Sequence, residues 1–434
     1  VFFFVVTTFF ISFLPTEIIT QKIGGRSVKL GIWFFLISVS ALILFINIKK
    51  INWKNDVVAF VFLSFFLFGL YAGVQALLRP PAFDCKQTLV AVFFIPLFCL
   101  LGLYSSRHKK TIIKTLLALS FIYILLSLYS FCTGHLSLSS RGFQTIVPSS
   151  WYKFESAGYQ GTSFFISIFI VITLTWCIIS HNKFVKKLFY ITAVCYSLPL
   201  LFIMGGRSAT VALFVALLFV IIVKIVPVFI KFLVKKNDVL WLGISLILVI
   251  GLIVYAVVAS ELLFFRRFSV IFEGGDRTLR IFLFTSAIDL WLQNAYSFIV
   301  GIGPQQFPIA IGQNSPGMYP HNFLLETLCE YGLLGFVLIF FPFLLLGLIY
   351  LKKILCDKLK DPNRITLSAL AVLFFSVSMF TGSLASVWTL IFIVSSLAPS
   401  KSVPRYFMWV GGLRSRGQPG SKTGYERHRS LPAS

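Results

Sequence analysis

The chain has 434 residues, of which 58% are hydrophobic and only 12% charged, with a formal net charge of +24 at pH 7. So little polar surface excludes a soluble globule of this length. The positive excess does not argue for nucleic acid, because most of the Lys and Arg sit in short loops between apolar segments or in the tail 401–434, where they anchor a membrane orientation.

A helix that crosses a bilayer needs about 20 mainly apolar residues, since the hydrocarbon core is about 30 Å thick and its backbone polar groups must bond internally. By that criterion the sequence predicts an all-α, polytopic integral membrane protein of about 12 transmembrane helices. The predicted spans, in chain order, are 1–14, 30–48, 57–77, 88–104, 111–132, 162–180, 188–204, 209–230, 239–259, 322–350, 365–380 and 383–398. The first lacks the basic start and small-residue cleavage site of a cleavable signal.

Orientation follows from the basic residues, which are retained in the cytoplasm when they lie in short loops near helix ends. Lys49 with Lys50, Arg107 with Lys109 and Lys110, Lys183 with Lys186 and Lys187, Lys231 with Lys235 and Lys236, and Lys352 with Lys353 all follow even-numbered spans. Both termini are therefore expected in the cytoplasm, with loops after odd-numbered spans facing outward. Lys22, Arg26 and Lys29 in the first outer loop run against this pattern. The expected organisation is one membrane domain over 1–400, a large outer loop with short helices at 260–321 inside it, and a basic tail at 401–434 that reads as disordered.

The seven cysteines lack CxxC spacing, and Cys99, Cys177, Cys195 and Cys329 lie in or beside apolar spans as small core hydrophobes. Cys85 and Cys132 fall near the outer face with nothing in sequence to pair them. No His, Cys or Asp grouping has metal-ligand spacing, so neither metal nor cofactor is expected. Chemistry is then expected in the outer loops. One, at 133–161, holds His135, Arg141, Lys153 and Glu155; a second is the turn Gly205-Gly206-Arg207; the third and largest is 260–321. Within the third, Leu279, Phe282, Leu283, Ile288, Leu290 and Trp291 predict a helix over 278–292 that can lie on the membrane surface and carries Arg280 near its first turn.

An interfacial arginine can snorkel to lipid headgroups, or it can bind an anion, because guanidinium is planar, bidentate and permanently charged. Arg207, and Arg280 with its neighbours Arg266, Arg267 and Arg277, are open to both readings. Glu273 and Asp276 lie close enough in sequence to orient some of them. His321 follows Pro320 and precedes Asn322 and a helix starting near Phe323. Such a histidine is either a structural hydrogen-bonding residue or a base, since the positive end of a helix dipole disfavours imidazolium.

Taken in order, Gly206-Arg207-Ser208 at a span junction, Arg280 followed by a helix and then Gly301-Ile302-Gly303-Pro304, and His321-Asn322 followed by Glu326, Glu330, Gly332 and Gly335 resemble the bacterial O-antigen ligase and polymerase superfamily. The resemblance covers about 200–340 in detail and the whole chain in topology. It implies a metal-independent glycosyltransferase of the bacterial inner membrane, active at the periplasmic face on glycans linked to undecaprenyl diphosphate. In the ligases the acceptor is lipid A-core; in the polymerases it is another carrier-linked repeat unit. Arg207 and Arg280 match the arginines expected to bind diphosphate, and His321 matches the histidine needed for transfer. Arg277, Asn322 and Arg141 join the expected substrate contacts.

The His321-Asn322 pair favours ligase over polymerase. Displacing a diphosphate from an anomeric carbon builds charge on the bridging oxygen, which two arginines stabilise, while a base takes the acceptor proton; a single displacement inverts the anomeric carbon. Membrane lipids and a chain-length regulator are compatible partners. The reading from another class, a transporter of lipid-linked oligosaccharide, calls for related halves and ionisable residues near the midplane, and the sequence has neither.

Overall fold

The structure is a computed structural model. It describes residues 38–82, 86–132, 136–139, 142–145, 159–179, 184–204, 206–232, 275–313, 318–355, 361–380, 384 and 387–399. A helical stretch over 38–47 (α1) leads through a 3-10 turn at Ile48–Lys50 into α2, Asp56–Leu78. Then come α3, which runs from Lys86–Leu89 through a π-helical turn at Val90–Phe94 into Ile95–Ser105, and α4, Lys109–Cys132. The remaining helices are α5 Tyr159–Ile179, α6 Phe184–Met204, α7 Arg207–Phe232, α8 Gly275–Leu292, α9 Ala295–Val300, α10 Phe307–Ala310, α11 Phe323–Leu355, α12 Pro362–Phe380 and α13 Trp388–Ser396.

By length and apolarity, α2, α5, α11 and α12 can each cross a membrane, and the α3–α4 pair, bent by 115° at the turn after Ser105, brings the number to as many as five. Helices α6 and α7 contribute shorter apolar stretches at Tyr190–Leu201 and Ser208–Lys224. The described residues therefore hold four to five candidate spans, not the dozen predicted. Predicted spans 1–14 and 239–259 and the tail 401–434 lie outside the described residues, span 30–48 is seen only from 38, and the last predicted span appears as a nine-residue helix. At 1.5 Å per residue α13 covers about half of a hydrocarbon core.

Lipid-type burial is clearest in α2. Its start is capped by Asn55, whose Oδ1 accepts from the Val57 N–H at 3.0 Å, with Asp56 in the first turn where the helix dipole favours an acid. Val61, Phe65, Phe68 and Ala72 are buried, whereas Leu63, Phe66, Leu70 and Leu77 of the same helix are exposed and apolar. Helix α5 is the centre of the bundle: residues 162–173 are buried on all sides, and it packs on α4, α6, α7 and α12. Helices α3 and α13 meet at Gly102, where a Cβ would come within 2.8 Å of the Ser395 Cβ and closer still to the Phe392 carbonyl oxygen. Small residues let two backbones approach where water supplies no driving force.

One element falls outside the all-helical expectation. Leu136–Ser139 (β1) pairs antiparallel with Gly142–Thr145 (β2), Leu136 opposite Thr145, within the outer loop predicted at 133–161.

Candidate functional site

The site region is built on a break in α11. Gly332 has φ 63° and ψ −167°, a backbone region that only glycine adopts readily, and the helix direction changes there. Carbonyls just before the break lose their helical partners. They are taken instead by the turn after α9: the Ile302 N–H donates to the Cys329 oxygen at 2.9 Å and the Gly303 N–H to the Glu330 oxygen at 3.0 Å. Gly301 (φ 88°) and Gly332 cross so closely that a Cβ on Gly332 would lie 2.6 Å from the Gly301 nitrogen, and one on Gly301 would lie 2.6 Å from the Gly332 nitrogen.

Helix α2 holds this crossing from the other side. The Tyr71 hydroxyl lies 2.7 Å from the Val300 oxygen and 3.1 Å from the Tyr331 oxygen. The Gln75 amide donates to Val300 at 2.9 Å, and Arg79 donates to the Ile302 oxygen at 2.9 Å while its guanidinium lies 4.5 Å over the Tyr296 ring. Sequence reading passed over these three residues. Their signal is a polar stripe at four-residue spacing on an otherwise apolar span, which puts them on one helix face.

Upstream, α8 starts at Gly275, three residues before the predicted start, and packs on α11. It buries Leu283 and Ala287 with Phe307 and Cys329, and leaves Leu279, Phe282 and Ile288 exposed. Helix α9 starts in a capping box: the Asn294 Oδ1 accepts from the Ser297 N–H at 2.8 Å, and the Ser297 hydroxyl accepts from the Asn294 N–H at 3.1 Å.

His321 sits just ahead of the first turn of α11 with φ 53°, the left-handed region, and is half-buried. Its ring centroid is 4.1 Å from that of Tyr319, tilted by 48°. Asn322 caps the helix: its Oδ1 accepts from the N–H groups of Leu324 at 3.0 Å and Leu325 at 3.2 Å. Asn322→Ala should lower the melting temperature by the equivalent of about 1 kcal/mol, and Asn322→Ser or Asn322→Asp should keep most of the cap. Equal melting of the Ala and Ser variants would show that the cap carries no stability.

One turn into α11, Glu326 is only 2% exposed and its Oε2 accepts from the Leu384 N–H at 2.8 Å. Arg280 is exposed, with one guanidinium nitrogen 3.5 Å from the Phe380 oxygen at the C-terminal end of α12, where the helix dipole favours a cation. Both act on Tyr319. That phenol is pushed up to about 12, first by burial and then by the Glu326 carboxylate, with the Arg280 guanidinium opposing them. The phenol therefore keeps its proton, and remains a hydrogen-bond donor, throughout the neutral range.

The structure thus brings Arg280, Tyr319, His321 and Glu326 to one end of α8, α11 and α12. Tyr319 was not among the expected site residues. Arg207 opens α7, which also contacts α11, and Arg277 lies in the first turn of α8; the side chains of both fall outside the described residues. Arg141, Arg266 and Arg267 lie outside them entirely. Among the described residues no cluster of His, Cys, Asp or Glu has a metal-holding arrangement.

An exposed guanidinium beside a protonated phenol and an imidazole at a helix start can hold an anionic group and accept a proton next to it. Residues 192–340 match the family model described as O-antigen ligase. No curated protein matches the chain.

Proposed function

We propose, on the support of the match of residues 192–340 to the O-antigen ligase family model, that the protein is an O-antigen ligase. It transfers a glycan from undecaprenyl diphosphate to lipid A-core at the periplasmic face of the inner membrane. The observation that supports this reading best is that Arg280 and His321 both neighbour Tyr319, inside the matched stretch.

In this reaction an acceptor hydroxyl oxygen bonds to the anomeric carbon as the bond from that carbon to the carrier's diphosphate oxygen breaks. The electron pair leaves on the diphosphate, and the hydroxyl proton goes to His321. Arg280, with Arg207, stabilises the growing charge without a divalent ion, which raises the rate because the charge is larger in the transition state than in the bound donor. Because diphosphate leaves readily, no general acid is needed. A single displacement inverts the anomeric configuration. Arg277 and Arg141 add positive charge for the donor, and Asn322, whose oxygen caps the helix, is a further substrate contact through its amide nitrogen.

The test is the wild-type chain expressed in a cell that lacks its own ligase, and separately in one that lacks its O-antigen polymerase. Long-chain lipopolysaccharide restored in the first strain is expected. Long chains restored only in the second would replace the ligase reading by the polymerase one.

A further inference from the structure

At the end of the bundle opposite His321, α7, α11, α12 and α13 surround an open groove of about 620 Å³. Its walls are Phe219, Phe343, Gly347, Leu351, Val372 and Leu397, among others, and they are almost wholly apolar. Its far end converges on cations from three elements. Tyr350 lines the groove and donates to the Leu397 oxygen at 3.0 Å, and the Lys353 ammonium sits 5.0 Å over its ring. Arg364 lies one turn before the groove residue Ser368, whose hydroxyl donates to the Arg364 oxygen at 2.8 Å. Lys109, only 8% exposed, donates to the Ser106 oxygen and, at 3.0 Å, to the oxygen of Ser396, next to Leu397.

Arg364 is within electrostatic reach of both Lys109 and Lys353. Among the described residues the acid in this group is Asp361, 3.5 Å from Arg364. Lys352 adds a further positive charge. Like charges held this close repel, and a bound anion would relieve the repulsion.

We propose that the groove and its cationic rim form a binding site for one anionic phospholipid, acyl chains in the groove and phosphate among Lys109, Lys353 and Arg364. A slot without polar lining suits hydrocarbon, and its position at the membrane-spanning ends of α11 and α12 lets a lipid enter sideways. The rim selects for charge, since each Lys or Arg near an anionic lipid surface adds on the order of a fivefold factor in affinity. The site is separate from the proposed transfer site and does not depend on that reading.

The test uses the full chain in detergent with dioleoylphosphatidylglycerol, dioleoylphosphatidylcholine or glycerol phosphate added, read by native mass spectrometry and thermal melting. Phosphatidylglycerol should bind at least about fivefold more tightly than phosphatidylcholine, and glycerol phosphate should bind far more weakly than either. The double variant Lys352→Gln/Lys353→Gln should lose most of the selectivity. A Cβ on Gly347 meets nothing within 4 Å, so Gly347→Phe should fold and fill the groove, weakening both lipids. In the wild type, phosphatidylglycerol with a photoreactive acyl tail should label peptides from 343–351 and 371–375. Equal affinity for the two lipids, full binding by the headgroup alone, or labelling confined to other helices would each overturn the proposal.

Discussion

His321→Gly is expected to fold as the wild type does and to transfer glycan about 10²- to 10⁴-fold more slowly, the range that a positioned general base contributes. Glycine is the informative replacement because His321 has φ 53°. Alanine removes the imidazole and keeps the left-handed strain of about 1–2 kcal/mol that histidine already carries there, whereas glycine removes both, so equal slowing in the two variants would tie the loss to the imidazole. Glycine adopts this conformation at no steric cost, and Asn322 still caps the helix. Added imidazole should restore part of the rate, and restoration should rise with the neutral fraction of the imidazole. A His321→Gly variant that transfers at the wild-type rate would remove His321 from the chemistry and leave it a residue of the turn.

The second large effect is structural. Gly332→Ala should cost about 2–6 kcal/mol, from forcing a side chain into a strained backbone region and displacing the carbonyl of Ile299 and the nitrogen of Gly301. Thermal melting of detergent-solubilised protein should show a sharp drop, with poor accumulation in the membrane. Gly312→Ala is the control. It too has positive φ, at 75°, but a Cβ there meets nothing within 4 Å, so it carries the backbone strain without the clash. If the two variants melt together, the crossing of Gly301 and Gly332 is looser than its geometry indicates.

The spans α2, α5, α11 and α12 were legible because a run of about 20 apolar residues has few alternatives to a membrane helix. The helix carrying Arg280 and the helix start after Asn322 were legible for similar reasons: one from its apolar spacing, the other from a proline followed by an apolar run. The break at Gly332 was not, because a glycine in an apolar run reads like any tolerated helical glycine; what distinguishes it is the turn at 301–303, some thirty residues away, that supplies new donors. Tyr319 was missed because its role comes from burial within electrostatic reach of Glu326 and Arg280. The cap made by the Asn322 oxygen was not legible either, because a sequence does not tell a cap oxygen from a ligand-facing one.

The break in α11 also bears on biogenesis. In lipid a backbone carbonyl has to find a protein donor. Here the Glu330 oxygen is served by Gly303, and Tyr331 by Tyr71 of a helix made 260 positions earlier in the chain. A newly synthesised α11 therefore leaves the translocation machinery with an incomplete hydrogen-bond ladder, and completes it only against a helix that has been waiting in the membrane since early in translation. Fragments that split the chain between α4 and α8 should recombine into a folded protein only when both are present, because each half lacks partners that the other supplies.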